Sequence, residues 1–88
     1  MPEEEMPIAW LALKRGVPVF TSDGEEVGHV SSVIADEQKD IFSGIAFRDH
    51  LLAHERFAPA AIIETLTTKG VHLSIDKSGA IDLGGPPG

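Results

Sequence analysis

The chain has 88 residues, enough for a single domain and no more. Its 42% hydrophobic content can fill a small core, and 7 Lys+Arg against 14 Asp+Glu give a formal net charge of -7. No basic stripe of the kind that displaces counterions from phosphates is present, which argues against direct nucleic-acid binding and against docking on an anionic membrane.

With no Cys, disulfides and thiolate metal sites are excluded, and the composition suits a reducing compartment. Met1-Pro2-Glu3-Glu4-Glu5 is acidic where a secretory signal would be basic. The longest apolar run, Pro7 to Leu13, is too short to span a bilayer. A cytoplasmic location is expected.

In chain order, residues 1–7 read as a loose tail, residues 8–82 as one domain, and residues 83–88 as a Gly/Pro-rich tail with nothing to pack against. Ile8 to Leu13 contains good helix formers and is stopped by Gly16, so a turn or two of helix, or an irregular segment, is expected. Val17 to Thr21 reads as a strand that Pro18 confines to an edge or a first position. Asp23-Gly24 is the sharpest local signal, because an Asp-Gly pair between apolar runs supplies the positive φ angles of a tight hairpin. The returning strand, Val27 to Ala35, breaks strict alternation at Val30 and Val33, which predicts a bulge near Ser31-Ser32.

Asp36 to Asp40 is a polar turn. Beyond it, Ile41, Ser43, Ile45 and Phe47 fall on one face and Phe42, Gly44, Ala46 and Arg48 on the other. Apolar groups on both faces predict a central strand. Asp49 to Ala53 reads as a loop, His54 to Ala58 as a short strand, and Pro59 to Ile62 as a single helical turn. Ile63 to Thr67 and Val71 to Ile75 pair around Thr68-Lys69-Gly70. Five to six short antiparallel strands predict an all-β fold, a small barrel or a strongly curved sheet.

Few residues suggest chemistry. His50 and His54 stand four apart, a metal-ligand spacing on a helix, but this segment reads as loop into strand, so two exposed histidines are the plainer interpretation. His72 alternates away from the apolar face and reads as solvent-facing, and His29, beside the hairpin, has no partner that the sequence identifies. The acidic clusters read as solvated turns, since Asp36 to Asp40 lacks the spaced oxygens and glycine of a calcium loop. No Gly-x-Ser-x-Gly elbow surrounds any serine, and no glycine run cradles a phosphate. Neither an enzyme nor a cofactor is expected.

Apolar residues outside the strands say more. Trp10, with Leu11 beside it, either plugs one end of a barrel or anchors an interface. Leu51 and Leu52 either tuck into the core from their loop or offer a contact patch.

Gly16-Val17-Pro18-Val19-Phe20-Thr21-Ser22-Asp23-Gly24-Glu25-Glu26-Val27-Gly28-His29-Val30 resembles the opening of PRC-barrel domains, in which a strand meets a Ser-Asp-Gly-Glu hairpin and Val-Gly-x-Val opens the next strand. Ile41 to Ile45 and Arg56 to Ala60 are similar to that family's middle strand and its closing aromatic-small-Pro element. The resemblance covers roughly residues 13 to 76. It implies a small barrel of about six strands, often self-associating, with no catalytic motif. Relatives include a module of the photosynthetic reaction-centre H subunit and a domain of a ribosome-maturation factor.

The expected function is therefore a non-catalytic protein-binding or assembly module, a homo-oligomer (a dimer first of all) or a partner of another protein. Two alternatives remain: a metal- or ligand-binding stress protein using His50 and His54, and a ribosome or RNA-processing adaptor working through a protein contact.

Overall fold

In a computed structural model of the chain, residues 8–36, 38–49 and 54–85 are described. The N-terminal segment makes one 3₁₀ turn, Trp10–Ala12, and Leu13 then buries itself in the core. Next come β1 (Pro18–Phe20) and β2 (Glu26–Asp36), paired antiparallel. In the turn between them Gly24 N–H donates to Thr21 O, and Thr21 N–H to Glu25 O, each at 2.9 Å. Gly24 has φ 81°, whereas Asp23 keeps a negative φ. The expected pair of positive angles thus reduces to one, and the turn is a three-residue loop closed by a left-handed glycine. Asp23 contributes through its side chain instead, accepting the Thr21 hydroxyl.

β3 (Ile41–Arg48) runs antiparallel to β2, and the register between them shifts twice. Val30 faces Phe47 and Ser32 faces Ala46, so Ser31 is the extra residue of the expected bulge. Further along, Ile34 faces Gly44 and Ala35 faces Phe42, which makes Ser43 an extra residue on the opposite strand. An inserted residue moves all side chains beyond it to the other face. The expected face of Ile41, Ser43, Ile45 and Phe47 is therefore corrected: Phe42 joins the core side, and Ile41 is 51% exposed.

β4 (Arg56–Pro59) pairs with the far side of β3, which makes β3 an interior strand. A second 3₁₀ turn, Ala60–Ile62, leads into β5 (Ile63–Thr67), and β6 (Gly70–Leu73) returns against it. The Thr67 hydroxyl organises that last hairpin by accepting the N–H groups of Lys69 at 3.1 Å and Gly70 at 3.2 Å.

The strand order is β4-β3-β2-β1-β6-β5. All pairs are antiparallel except β1 with β6, which run parallel with Val19 opposite Val71. This corrects the purely antiparallel expectation. β6 reverses against β5 and so reaches the open side of β1 running in the same direction. The sheet is mixed, mainly β, and curls without a closing ladder, with the end strands β4 and β5 joined by only the Ala60–Ile62 turn.

Each end strand receives one chain segment on its open side. Ile8 N–H donates to Leu66 O of β5 at 3.0 Å, and Phe57 N–H of β4 donates to Gly84 O at 2.7 Å. Covering an edge in this way blocks strand addition.

The core is made by Val19, Ile45, Phe47, Ala58 and Val71, all at 0% exposure, with Val30, Leu13 and Leu73 around them. A short helix that the sequence reading lacks, α1 (Lys77–Ile81), follows β6. Asp76 caps it by accepting Gly79 N–H at 2.9 Å, and Ala80 is buried beneath it. Leu83, expected to lack a packing partner, is half-buried against the core margin. Among the described residues no helix is long and apolar enough to cross a membrane.

Candidate functional site

Two adjoining concave regions flank the segment that carries the chain from the 3₁₀ turn into β1, and consecutive basic residues serve one each. Lys14 lines an apolar groove of about 250 Å³ together with Ile8, Ala12, Val17 and the Thr67-Thr68 turn. Arg15 lines a cleft of about 580 Å³ with His29, Val30, Ser31, Arg48 and Asp49.

The groove belongs to an apolar ridge. Trp10 is half-buried, with its ring stacked on Phe42 at a centroid distance of 5.9 Å and an interplanar angle of 12°. Offset stacking at this distance fixes both rings. Leu11, next on the same turn, is 66% exposed, and Ala12 after it faces the groove. The Ser43 bulge makes this arrangement possible, because without it Phe42 would point away from the core side where Trp10 meets it.

The cleft gets its shape from the Ser31 bulge. Ser31 Oγ–H donates to Glu55 Oε2 at 2.5 Å, and Glu55 Oε1 lies 3.5 Å from Arg48 Nη2. The Ser31 hydroxyl first, and the Arg48 guanidinium after it, hold the Glu55 carboxyl below the ordinary glutamate range against the opposing effect of desolvation. Arg48 and Glu55 flank the 49–54 segment, so this contact ties the end of β3 to the approach of β4. Arg48 Nε is buried with no hydrogen-bond partner among the described residues. Arg15 makes no ion pair among them.

The residues singled out from sequence are placed as follows. Trp10 and Leu11 form the ridge just described. His54 is exposed, and His50, Leu51 and Leu52 lie outside the described residues. Asp23 and Gly24 shape the first turn. Among the described residues no group of three or more His, Cys, Asp or Glu is placed to hold a metal ion. His29 stands 3.9 Å from Glu26, and His72 stacks on Phe20 with ring centroids 5.4 Å apart.

Sequence reading misses Phe42, Arg15, Arg48, Ser31 and Glu55 as site residues. One signal was available: with only 7 cations in the chain, an Arg in a strand and a Lys-Arg pair beside an apolar segment are conspicuous.

A mixed six-stranded curl with a Ser-Asp-Gly-Glu first hairpin and an aromatic-small-Pro fourth strand defines a small, barrel-like β domain. The family model of the PRC-barrel domain matches residues 15–78, and the chain belongs to that family. No curated protein and no solved structure matches the chain.

Proposed function

We propose that the protein is a non-catalytic assembly module that pairs with a second copy of itself through the Trp10–Ala12 ridge. The observation carrying this reading is the position of Leu11, 66% exposed on the same turn as Ala12, which lines the apolar groove. A knob and a hole side by side on one patch are self-complementary under a two-fold axis: Leu11 of each copy enters the groove of the other. The groove of about 250 Å³ has room for a leucine side chain. Trp10, held against Phe42 next to Leu11, is a fixed aromatic neighbour of that contact, and such anchors concentrate binding energy. The proposal includes a cytoplasmic setting, which a chain with no Cys suits.

Light scattering at tens of micromolar tests the reading. The wild type should show twice the mass of the 9.4 kDa chain, and Leu11→Asp should return it to the single-chain mass with the fold retained. A wild type that stays single at high micromolar concentration sinks the proposal.

A further inference from the structure

The cleft on the other side of the same segment invites a different ligand. Its lining is mostly apolar, and Val30 and two arginines, Arg15 and Arg48, are among the residues that form it. Arg48 meets Glu55 through Nη2 at 3.5 Å, and its Nε is buried without an acceptor among the described residues. Arg15 contributes a second planar fork with no ion pair among those residues. Among the described residues the lining sets Asp49 against these two cations, and Glu55 engages Arg48 from outside the lining.

We infer that this cleft binds a small organic carboxylate, one anionic head carried on an apolar body. The guanidinium fork matches a carboxylate's two oxygens, and the apolar lining takes the body. A volume of about 580 Å³ falls within the range typical of small-molecule sites. The net charge of -7 does not forbid an anion here, because charges more than about 8 Å away are screened at physiological salt while the two arginines act at contact. The site is independent of self-association.

The experiment is a calorimetric titration of the whole chain with sodium octanoate below its micelle threshold, set against 1-octanol, which has the same apolar body and no charge. Octanoate should saturate at one site per chain and bind at least about tenfold more tightly than octanol, the effect expected of a charge-assisted hydrogen bond. Arg15→Gln, at an exposed turn position, should weaken octanoate by about tenfold and leave octanol unchanged, with thermal melting used to check that it folds. Arg48→Gln should do the same, with thermal melting used to check that it folds. Leu11→Asp should bind octanoate as the wild type does, which separates this site from the assembly surface. Absence of saturable binding, equal affinity for octanol, or an Arg15→Gln protein that binds octanoate unchanged overturns the inference.

Discussion

The sheet has two limbs built on different terms. One, β2-β3-β4, uses strands of 11, 8 and 4 residues, all antiparallel, with a bulge on each of the two long strands. The other, β1-β6-β5, uses strands of 3, 4 and 5 residues joined through the parallel β1–β6 pair and braced at its turns by Thr21 and Thr67. The long limb supplies Phe47 and Ile45 to the core, and its irregularities shape the ridge and the cleft. The short limb supplies Val19 and Val71 and has a register shift of its own between Ile63 and Thr65 of β5, residues that line neither region. The two bulges between β2 and β3 carry the contacts: each releases one serine from the pleat and reverses the faces beyond it.

The strongest way to set the limbs against each other is to empty one core position in each. Phe47→Ala in the long limb removes a fully buried aromatic side chain, at a cost of about 3–5 kcal/mol. Val71→Ala in the short limb removes far less and should cost about 2 kcal/mol. A chain of this size has a total stability of about 4–13 kcal/mol, so the first variant is expected to melt close to working temperature and the second to remain folded. Thermal denaturation followed by circular dichroism decides the order. Equal losses would mean that the core does not centre on the long limb.

Gly44 marks the tightest approach in the long limb. It has φ 151°, and an added Cβ would collide with the Ala58 carbonyl oxygen and lie 2.9 Å from both Pro59 Cα and the edge of the Phe57 ring. Two of those three neighbours are backbone and have nowhere to go. Gly44→Ala should therefore cost about 2–4 kcal/mol, through strain and the splaying of β4 from β3. The check is amide hydrogen exchange across Phe57 and Ala58, where protection should fall further than at β5 and β6. Uniform loss of protection would place the strain outside the β3–β4 pair.

The same contrast explains what could be read from the sequence. The short limb was legible because Val71, His72, Leu73 and Ser74 alternate without interruption and Thr68-Lys69-Gly70 is plain turn chemistry. The Ser31 bulge was also legible, since Val30 and Val33 sit three apart. Its counterpart at Ser43 left no such trace: Ile41 and Phe42 are both apolar, and either assignment of faces fits the pattern. The parallel β1–β6 pair depends on where the last strand returns, which no local pattern encodes. The helix Lys77–Ile81 is five residues long, contains Gly79, and announces itself only through the Asp76 cap. The cleft joins Arg15 to Arg48 across a distance in sequence that only the folded sheet closes. Loss of the Asp76 cap should accordingly be a modest event, with Asp76→Ala lowering stability by about 1 kcal/mol in a denaturant titration.

The finest test concerns the polar link of Ser31, Glu55 and Arg48 in the long limb. Ser31 is the first cause of the lowered Glu55 pKa, with Arg48 behind it, so Ser31→Ala should move that pKa upward toward the ordinary glutamate value. A carboxyl whose folded pKa is depressed adds stability above its unfolded pKa and loses that contribution as the pH falls through the folded value. Wild type and Ser31→Ala should therefore differ most at neutral pH and converge in acid. The effect on stability is small, because Glu55 is only half-buried and solvent screens its charge. An NMR titration of the Glu55 side-chain carboxyl reads the shift directly. A Glu55 pKa unchanged in the variant would assign the depression to Arg48, making the bulge serine a shape element of the cleft rather than part of its electrostatics.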